Sequence, residues 1–325
     1  MQQENTHTTH ALVTGGAGFI GSHLVARLLG EGKRVTVVDN FDPFYDPAQK
    51  HRNLQQHLAD PLLSLVQADI RDYRGLQAAL PDQYDVVVHL AARAGVRPSL
   101  VEPILYQEVN VGGTQNMLEL AKDRGITQFV FASSSSVYGV NERVPWREDD
   151  AVLLPISPYA ATKVSGELLG HVYSHVYGLR FIALRFFTVY GPRQRPDLAI
   201  RKFSRLLLDG QAIHIYGDGS TRRDYTYIDD IVTGIRAAMD YSSTPYEVIN
   251  LGNNRTVSMH ELIAALEDAL QVKARLEWGP EQPGDVPQTW ADVDKAARLL
   301  GYHPSTSFQE GLAHFARWIK ESRTS

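Results

Sequence analysis

Short apolar runs alternate with segments of helical periodicity from residue 10 to about residue 185. Ala11-Leu12-Val13-Thr14 is the first run, and it ends at a glycine. Phe19 to Leu29 follows, with Ile20, Leu24, Val25, Leu28 and Leu29 spaced for one face of a helix. Arg34 to Val38, Leu63 to Val66, Val86 to Leu90, Gln128 to Ala132 and Phe181 to Leu184 continue the strand-like series. Such continuous Val, Ile, Leu and Phe runs suit strands buried on both faces. With helices between them they predict an α/β fold on a doubly wound parallel sheet. Beyond about residue 187 the pattern loosens. Pro, Gly and Arg become frequent, as in Gly191-Pro192-Arg193-Gln194-Arg195-Pro196, and short strands mix with helices. The expected organisation is a first domain over 8–187 and a smaller C-terminal domain over 188–325. The second domain should end in an amphipathic helix near Phe308 to Glu321. Val248 to Leu251 reads as one more buried strand, so a return to the first sheet near 246–251 is expected.

Composition closes off several chemistries. The 325 residues suffice for two domains of about 150 residues each, and 43% hydrophobic residues can fill both cores. A net charge of -5 offers no field for nucleic acid. Cysteine is absent, which excludes disulfides, thiol nucleophiles, thiolate zinc sites and iron-sulfur clusters. No apolar run approaches the roughly 18 residues of a membrane span. Met1 to His10 is polar and lacks the apolar stretch of a signal peptide. The expectation is a cytoplasmic protein that binds neither nucleic acid nor membrane.

Thr14-Gly15-Gly16-Ala17-Gly18-Phe19-Ile20-Gly21 joins the first strand to the first helix. Glycines there allow a tight turn and let backbone approach a pyrophosphate, while the helix start offers amide donors and a positive dipole end. Asp39 ends the second strand, where a carboxylate can accept hydrogen bonds from both ribose hydroxyls and repel a 2′-phosphate. NAD is therefore expected over NADP. The competing reading, an ordinary turn beside a solvated Asp, does not require strand, glycines, helix, strand and Asp in this register. Asp69-Ile70 after the third strand can hold an adenine, and the small residues of His89-Leu90-Ala91-Ala92 leave room for a cofactor; strand-end packing is the alternative for each.

Ser157-Pro158-Tyr159-Ala160-Ala161-Thr162-Lys163 reads as a helix start, with Ser157 as cap and Pro158 in the first turn. Tyr159 and Lys163 are then i and i+4 on one face. An ammonium beside a phenol favours the phenolate, which makes Tyr159 a candidate general base. The same spacing also occurs on unremarkable surface helices. Phe131-Ala132-Ser133-Ser134-Ser135-Ser136-Val137-Tyr138-Gly139 adds hydroxyls at the carboxyl end of a strand, where open α/β sheets bind ligands.

The glycine turn, the Ser-Ser-Ser-Ser-Val-Tyr-Gly run and Tyr159-x-x-x-Lys163 resemble the extended short-chain dehydrogenase/reductases that act on nucleotide sugars, the NAD-dependent epimerases and dehydratases. The resemblance runs from about residue 8 to 320. It implies a Rossmann-like fold, NAD as cofactor, and catalytic Ser134, Tyr159 and Lys163, with Ser136 as a second hydroxyl in the substrate pocket. It implies cofactor contacts from Gly15, Gly18, Phe19, Ile20, Gly21, Asp39, Asn40, Asp69, Ile70, Leu90, Ala91, Ala92, Asn110, Ser133, Tyr159 and Lys163. The helices around Val109 to Ala121 and Tyr159 to Tyr177 resemble those of a four-helix homodimer interface.

The 4,6-dehydratases of this family carry an Asp-Glu pair before the Val-Tyr-Gly triplet, and the related UDP-glucuronate decarboxylases carry a Glu immediately before it. Here those positions are Ser135 and Ser136. Without the acids, oxidation and re-reduction at C4 remain, which is epimerisation. The segments Thr188 to Asp197, Asn40 to Pro47 and Ala94 to Arg97 look like those of UDP-glucuronate 4-epimerases. The resemblance implies a UDP-sugar substrate held by Thr188, Arg193, Arg195, Arg223 and Asp285. A solvated loop is the alternative for Arg193. UDP-galactose 4-epimerases place an arginine where this chain has Gln282, which counts against UDP-glucose as sole substrate. UDP-glucose epimerisation, UDP-glucuronate decarboxylation, a net oxidoreductase and a catalytically silent NAD-binding regulator are the alternative functions. His171 and His175 form an i, i+4 pair without a third metal ligand nearby in sequence, so no metal is expected.

Overall fold

The structure is a computed structural model that describes residues 9–80, 83–150, 154–280 and 286–324. Twelve strands appear among them: β1 His10–Thr14, β2 Arg34–Asp39, β3 Leu63–Gln67, β4 Val86–His89, β5 Gln128–Ser134, β6 Arg180–Phe186, β7 Thr188–Tyr190, β8 Ile213–Tyr216, β9 Arg222–Tyr227, β10 Tyr246–Leu251, β11 Thr256–Ser258 and β12 Leu276–Gly279. Seven of them pair in parallel in the order β10-β6-β5-β4-β1-β2-β3. Strands β1 and β4 are buried along their whole length, which accounts for their unbroken apolar sequences. The edge strand β3 is only partly covered. This is the doubly wound arrangement of the Rossmann-like fold, extended by β10.

Strand order reverses between β1 and β4, so the connections leaving their carboxyl ends diverge and open a crevice there. Around it stand a three-stranded sheet, β11-β9-β7, and a two-stranded ladder, β12-β8. Helix Ile228–Asp240 packs against helix Phe19–Gly30 and against β5 and β6, although it follows residue 187 by a long interval. With β10, it returns the later part of the chain to the large sheet. One apolar core therefore runs from Val13, Leu24 and Val37 to Ile231, Ile235 and Leu262, and a second lies on the other face around Leu12, Met117, Phe129 and Phe181. Among the described residues no helix is long and apolar enough to cross a membrane.

Helix Pro158–Tyr177 starts where its sequence directs. The Ser157 hydroxyl accepts the Ala160 N–H (3.1 Å), Pro158 occupies the first turn, and Gly178 closes the helix in the left-handed conformation (φ 70°).

Candidate active site

The crevice is a cavity of about 530 Å³. It gathers most of the residues singled out from sequence. Gly15, Gly18, Phe19, Ile20 and Gly21 line it from the first turn, Asp39 and Asn40 from β2 and its end, and Asp69 and Ile70 from beyond β3. Leu90, Ala91 and Ala92 come from the end of β4, Ser133, Ser134 and Ser136 from β5 and beyond, and Tyr159 and Lys163 from one helix. Thr188, Arg195 and Arg223 complete it from the C-terminal part. Two residues do not line it, Asn110 and Arg193. Asp285, like Gln282, lies outside the described residues.

The glycine turn is shaped for a ligand's diphosphate. Gly15 adopts φ +69°, and a Cβ there would stand 2.8 Å from the Ala91 nitrogen. A Cβ on Gly21 would lie 2.2 Å from the Gly15 carbonyl oxygen. Helix Phe19–Gly30 begins at Gly18 without a side-chain cap, so its first amides face the cavity. The Asp39 carboxylate is buried and braces the turn, accepting the Ala17 N–H (3.2 Å) and the Phe41 N–H (2.8 Å). A carboxylate has about four lone-pair sites, so acceptor capacity remains for ribose hydroxyls.

Lys50 is a residue that sequence reading missed. Its side chain is nine-tenths buried and lines the cavity, with Nζ 3.6 Å from Asp39 Oδ1 and over the Tyr45 ring. The ammonium is close to Asp39 but beyond hydrogen-bond distance, so its donors can serve a ligand's oxygens. Only chain closure brings helix Pro47–Gln55 to β2, and no local pattern in the sequence signals it. These features fit NAD: amides for the diphosphate, and an acid and a lysine for the adenosine ribose. Beyond β3, Asp69 is engaged by both arms of Arg71 (3.0 and 2.8 Å) and by Asn40 (3.0 Å), which pulls its carboxyl down to about 2.

Asn110 has a supporting place. It sits in a π-helical turn, Gln107–Gly112, and accepts the Arg93 N–H (2.8 Å) while donating to the Arg93 carbonyl and the Thr162 hydroxyl (both 3.0 Å). It ties the loop after β4 to the helix carrying Tyr159 and Lys163. Buried His89 does related work. Thr114 donates to the Asn110 carbonyl, so its oxygen accepts His89 Nε2–H (3.1 Å). Thr14 accepts the Ala91 N–H and donates to His89 Nδ1 (2.7 Å). Burial, then the Lys163 charge, push the His89 imidazole down to about 3. Its folded pKa lies below the unfolded 6.5, so stability is lost as pH falls from 6.5 toward 3. Acidification from pH 6.5 to 5 is expected to cost about 2 kcal/mol through this residue. Thermal melts of wild type and His89→Gln over that range check it: the variant's stability should depend less on pH.

Ser134, Tyr159 and Lys163 meet at the end of β5. Ser134 accepts the Ser136 N–H (3.2 Å) and the Ser136 hydroxyl (3.0 Å), leaving its own proton for the Tyr159 oxygen. Burial pushes the Tyr159 phenol above its ordinary value, while the Ser134 hydrogen bond and the Arg195 guanidinium pull it back. Lys163 makes no direct hydrogen bond to it. Its ammonium donates to the Ala132 carbonyl (2.6 Å) and lies 5.8 Å from the Tyr159 ring centre. Arg195 is the cation facing the phenol. It is held by both Asp197 oxygens (3.0 and 2.7 Å) and stacks over Phe44, which also lies under Arg93.

Arg193, two residues earlier, points elsewhere. Its backbone is left-handed (φ 62°) and its guanidinium donates to the Ser22 carbonyl (3.2 Å). Its neighbour Pro192 meets His23 through its carbonyl (2.9 Å). Arg193 thus links the loop to the first helix and stands outside the cavity lining. Arg223 lines the cavity from β9. That strand is laced to the following segment through Arg222 and Thr289 (N–H to carbonyl, 3.1 Å) and Asp224 and Thr289 (3.2 Å).

Sheet order, glycine turn and Ser-Tyr-Lys set together define an extended short-chain dehydrogenase/reductase. A family model described as GDP-mannose 4,6 dehydratase matches residues 12–315, and the chain belongs to this NAD-dependent epimerase/dehydratase family. A UDP-glucuronate 4-epimerase of Thermodesulfobacterium geofontis is 43% identical over 314 residues, covering 96% of each chain. The UDP-glucuronic acid 4-epimerase of Bacillus cereus, solved with UDP-glucuronic acid and NAD, superposes with a TM-score of 0.89 at 37% identity, covering 97% of this chain and all of that one. A Thermotoga maritima UDP-glucose 4-epimerase, solved with UDP-glucose, gives 0.89 at 33% identity, covering 97% of this chain and all of that one.

Proposed function

We propose that the chain is an NAD-dependent epimerase that interconverts UDP-glucuronate and UDP-galacturonate at C4. The observation that carries this reading is the sugar end of the cavity. It presents Tyr159 with hydroxyls from Ser134, Ser135 and Ser136 and with the Arg195 guanidinium, and Ser135 and Ser136 stand at the positions whose carboxylates drive elimination in the dehydratases. NAD, held by the glycine turn, Asp39 and Lys50, would supply the hydride acceptor and donor for C4. The protein's residues move the proton and hold the sugar. Tyr159 takes the C4 hydroxyl proton while Ser134 orients that oxygen, and Tyr159 gives the proton back after the sugar has turned about its diphosphate linkage. Thr188, Ser136 and Arg195 grip the C6 carboxylate, keeping the C5–C6 bond out of line with the C4 carbonyl so that CO₂ is not lost. Arg223 faces the diphosphate, where a guanidinium pairs with two oxygens at once.

The division of labour follows the chain. Residues 8–187, with the returning strand, hold the cofactor, and 188–325 supply most of the sugar-nucleotide contacts. The cytoplasm fits a cysteine-free chain working on a nucleotide sugar. Helix Pro158–Tyr177 exposes Leu168, Val172 and Val176 in one stripe, beside exposed Val101 and Ile104. A second copy of this chain is the occupant we assign to that face. Sedimentation should show a dimer that Val172→Glu converts to monomer; an unchanged dimer would place the interface elsewhere.

Incubation with UDP-glucuronate and, separately, UDP-glucose, followed by NMR of the products, tests the activity. UDP-galacturonate is expected from the first and little turnover from the second. Dominant UDP-galactose formation would make the chain a UDP-glucose 4-epimerase, and a UDP-pentose would make it a decarboxylase.

A further inference from the structure

A buried ion pair lies behind the catalytic residues, and the reaction as described makes no use of it. Glu167 stands one helical turn beyond Lys163 and two beyond Tyr159. Its carboxylate accepts the Ser133 hydroxyl (2.5 Å) and both arms of Arg185 on β6 (2.9 and 2.8 Å). Ser133 sits between two residues of β5 that meet Lys163 and Tyr159 of the catalytic helix. Ala132 receives the Lys163 ammonium on its carbonyl, and Ser134 meets the Tyr159 phenol. One carboxylate thus pins β5 to the helix midway between those contacts. Apolar residues of similar volume often serve stability as well as a buried Glu–Arg pair does, so the pair calls for a role beyond stability.

We propose that Glu167 is a positioning residue of the catalytic set: it holds Ser134 in register with Tyr159 and places a buried negative charge one helical turn from Lys163. The proposal rests on the assignment of Tyr159 to the reaction as base, with the charge of the nearby Lys163 ammonium favouring its phenolate. The surroundings of Lys163 support it. His89, facing from β4, stays neutral. Arg185 and the Tyr138 ring beneath it approach from the other side of Glu167, and the Tyr246 hydroxyl of β10 donates to the Glu167 carbonyl (3.2 Å). Burial pushes the Lys163 ammonium down to about 8, and the Glu167 charge opposes that fall.

Glu167→Gln keeps shape and a hydrogen-bond acceptor for Ser133 but removes the charge. The Lys163 titration, followed by NMR of ¹³Cε-labelled lysine and assigned with Lys163→Arg, is expected to move down by about one pH unit. The alkaline limb of kcat should move down with it, while KM for the UDP-sugar stays near wild type. Because Gln at 167 leaves Arg185 buried without an anion, Glu167→Gln/Arg185→Met provides a second test without that liability, and a smaller shift in the same direction is expected. A lysine titration that stays in place in the folded variant, whatever its melting temperature, overturns the proposal. A shifted titration with an unmoved kcat profile overturns the assignment of Lys163 to the reaction instead.

Discussion

Tyr159→Phe is expected to lower kcat roughly 10²- to 10⁴-fold while UDP-glucuronate still binds, because general acid–base groups contribute in that range. The substitution removes one oxygen and leaves the ring in its edge-on contact with Tyr106 (centres 6.3 Å apart). What is lost is the acceptor for the C4 proton, an interaction made chiefly in the transition state. Steady-state kinetics with calorimetry of substrate binding separates the two effects, and a near wild-type kcat would exclude Tyr159 as the base. The pH dependence has a defined sign. Burial holds the phenol above its ordinary value, so at neutral pH the base form is scarce and kcat should rise with pH. Loss of the Lys163 proton, near pH 8, opposes that rise. Bound cofactor charge adds to Arg195 in favouring the phenolate, so the Tyr159 phenol should titrate at lower pH in the loaded enzyme than in the cofactor-free one.

Local rules explain which parts of this site were legible. The glycine turn, the strand ends and the helix start at Ser157-Pro158 are each set by residues adjacent in sequence. Short-range sterics and capping determine them before any tertiary contact forms. Tyr159 and Lys163 share a face because helical spacing places them there, although spacing could not show that the ammonium donates to the Ala132 carbonyl rather than to the phenol. The basic loop was harder to read. Arg193 and Arg195 look equivalent in sequence, but the left-handed backbone at Arg193 turns one guanidinium to Ser22 while the other lies beside Tyr159. No periodicity encodes that divergence. Lys50, Phe44 and Glu167 acquire their roles only when distant segments close around the crevice, so their partners cannot be read from neighbouring residues.

Gly21→Ala is expected to weaken NAD binding about 100-fold or more while leaving UDP binding nearly intact. The added methyl would sit 2.2 Å from the Gly15 carbonyl oxygen and 2.7 Å from the Gly16 Cα, both backbone atoms. A flexible side chain could swing aside, but backbone can yield only if the turn opens. Opening moves Gly15 away from Ala91 and disturbs the Gly18 N–H to Gly15 carbonyl bond (3.1 Å) that sets the start of helix Phe19–Gly30. The amides aimed at the diphosphate then lose their common direction, and a hydrogen bond to a charged group contributes about 1.5–3 kcal/mol. Breaking two such hydrogen bonds together weakens binding by more than about a hundredfold, at roughly 1.4 kcal/mol for each factor of ten. The diphosphate contact proposed for UDP comes from Arg223 on β9, outside the turn, so UDP affinity reports whether the rest of the fold is intact. Calorimetry of NAD and UDP against both proteins makes the comparison. Equal loss of both ligands would mean that the substitution unfolds the chain, and unchanged NAD affinity would mean that the cofactor does not lie on this turn.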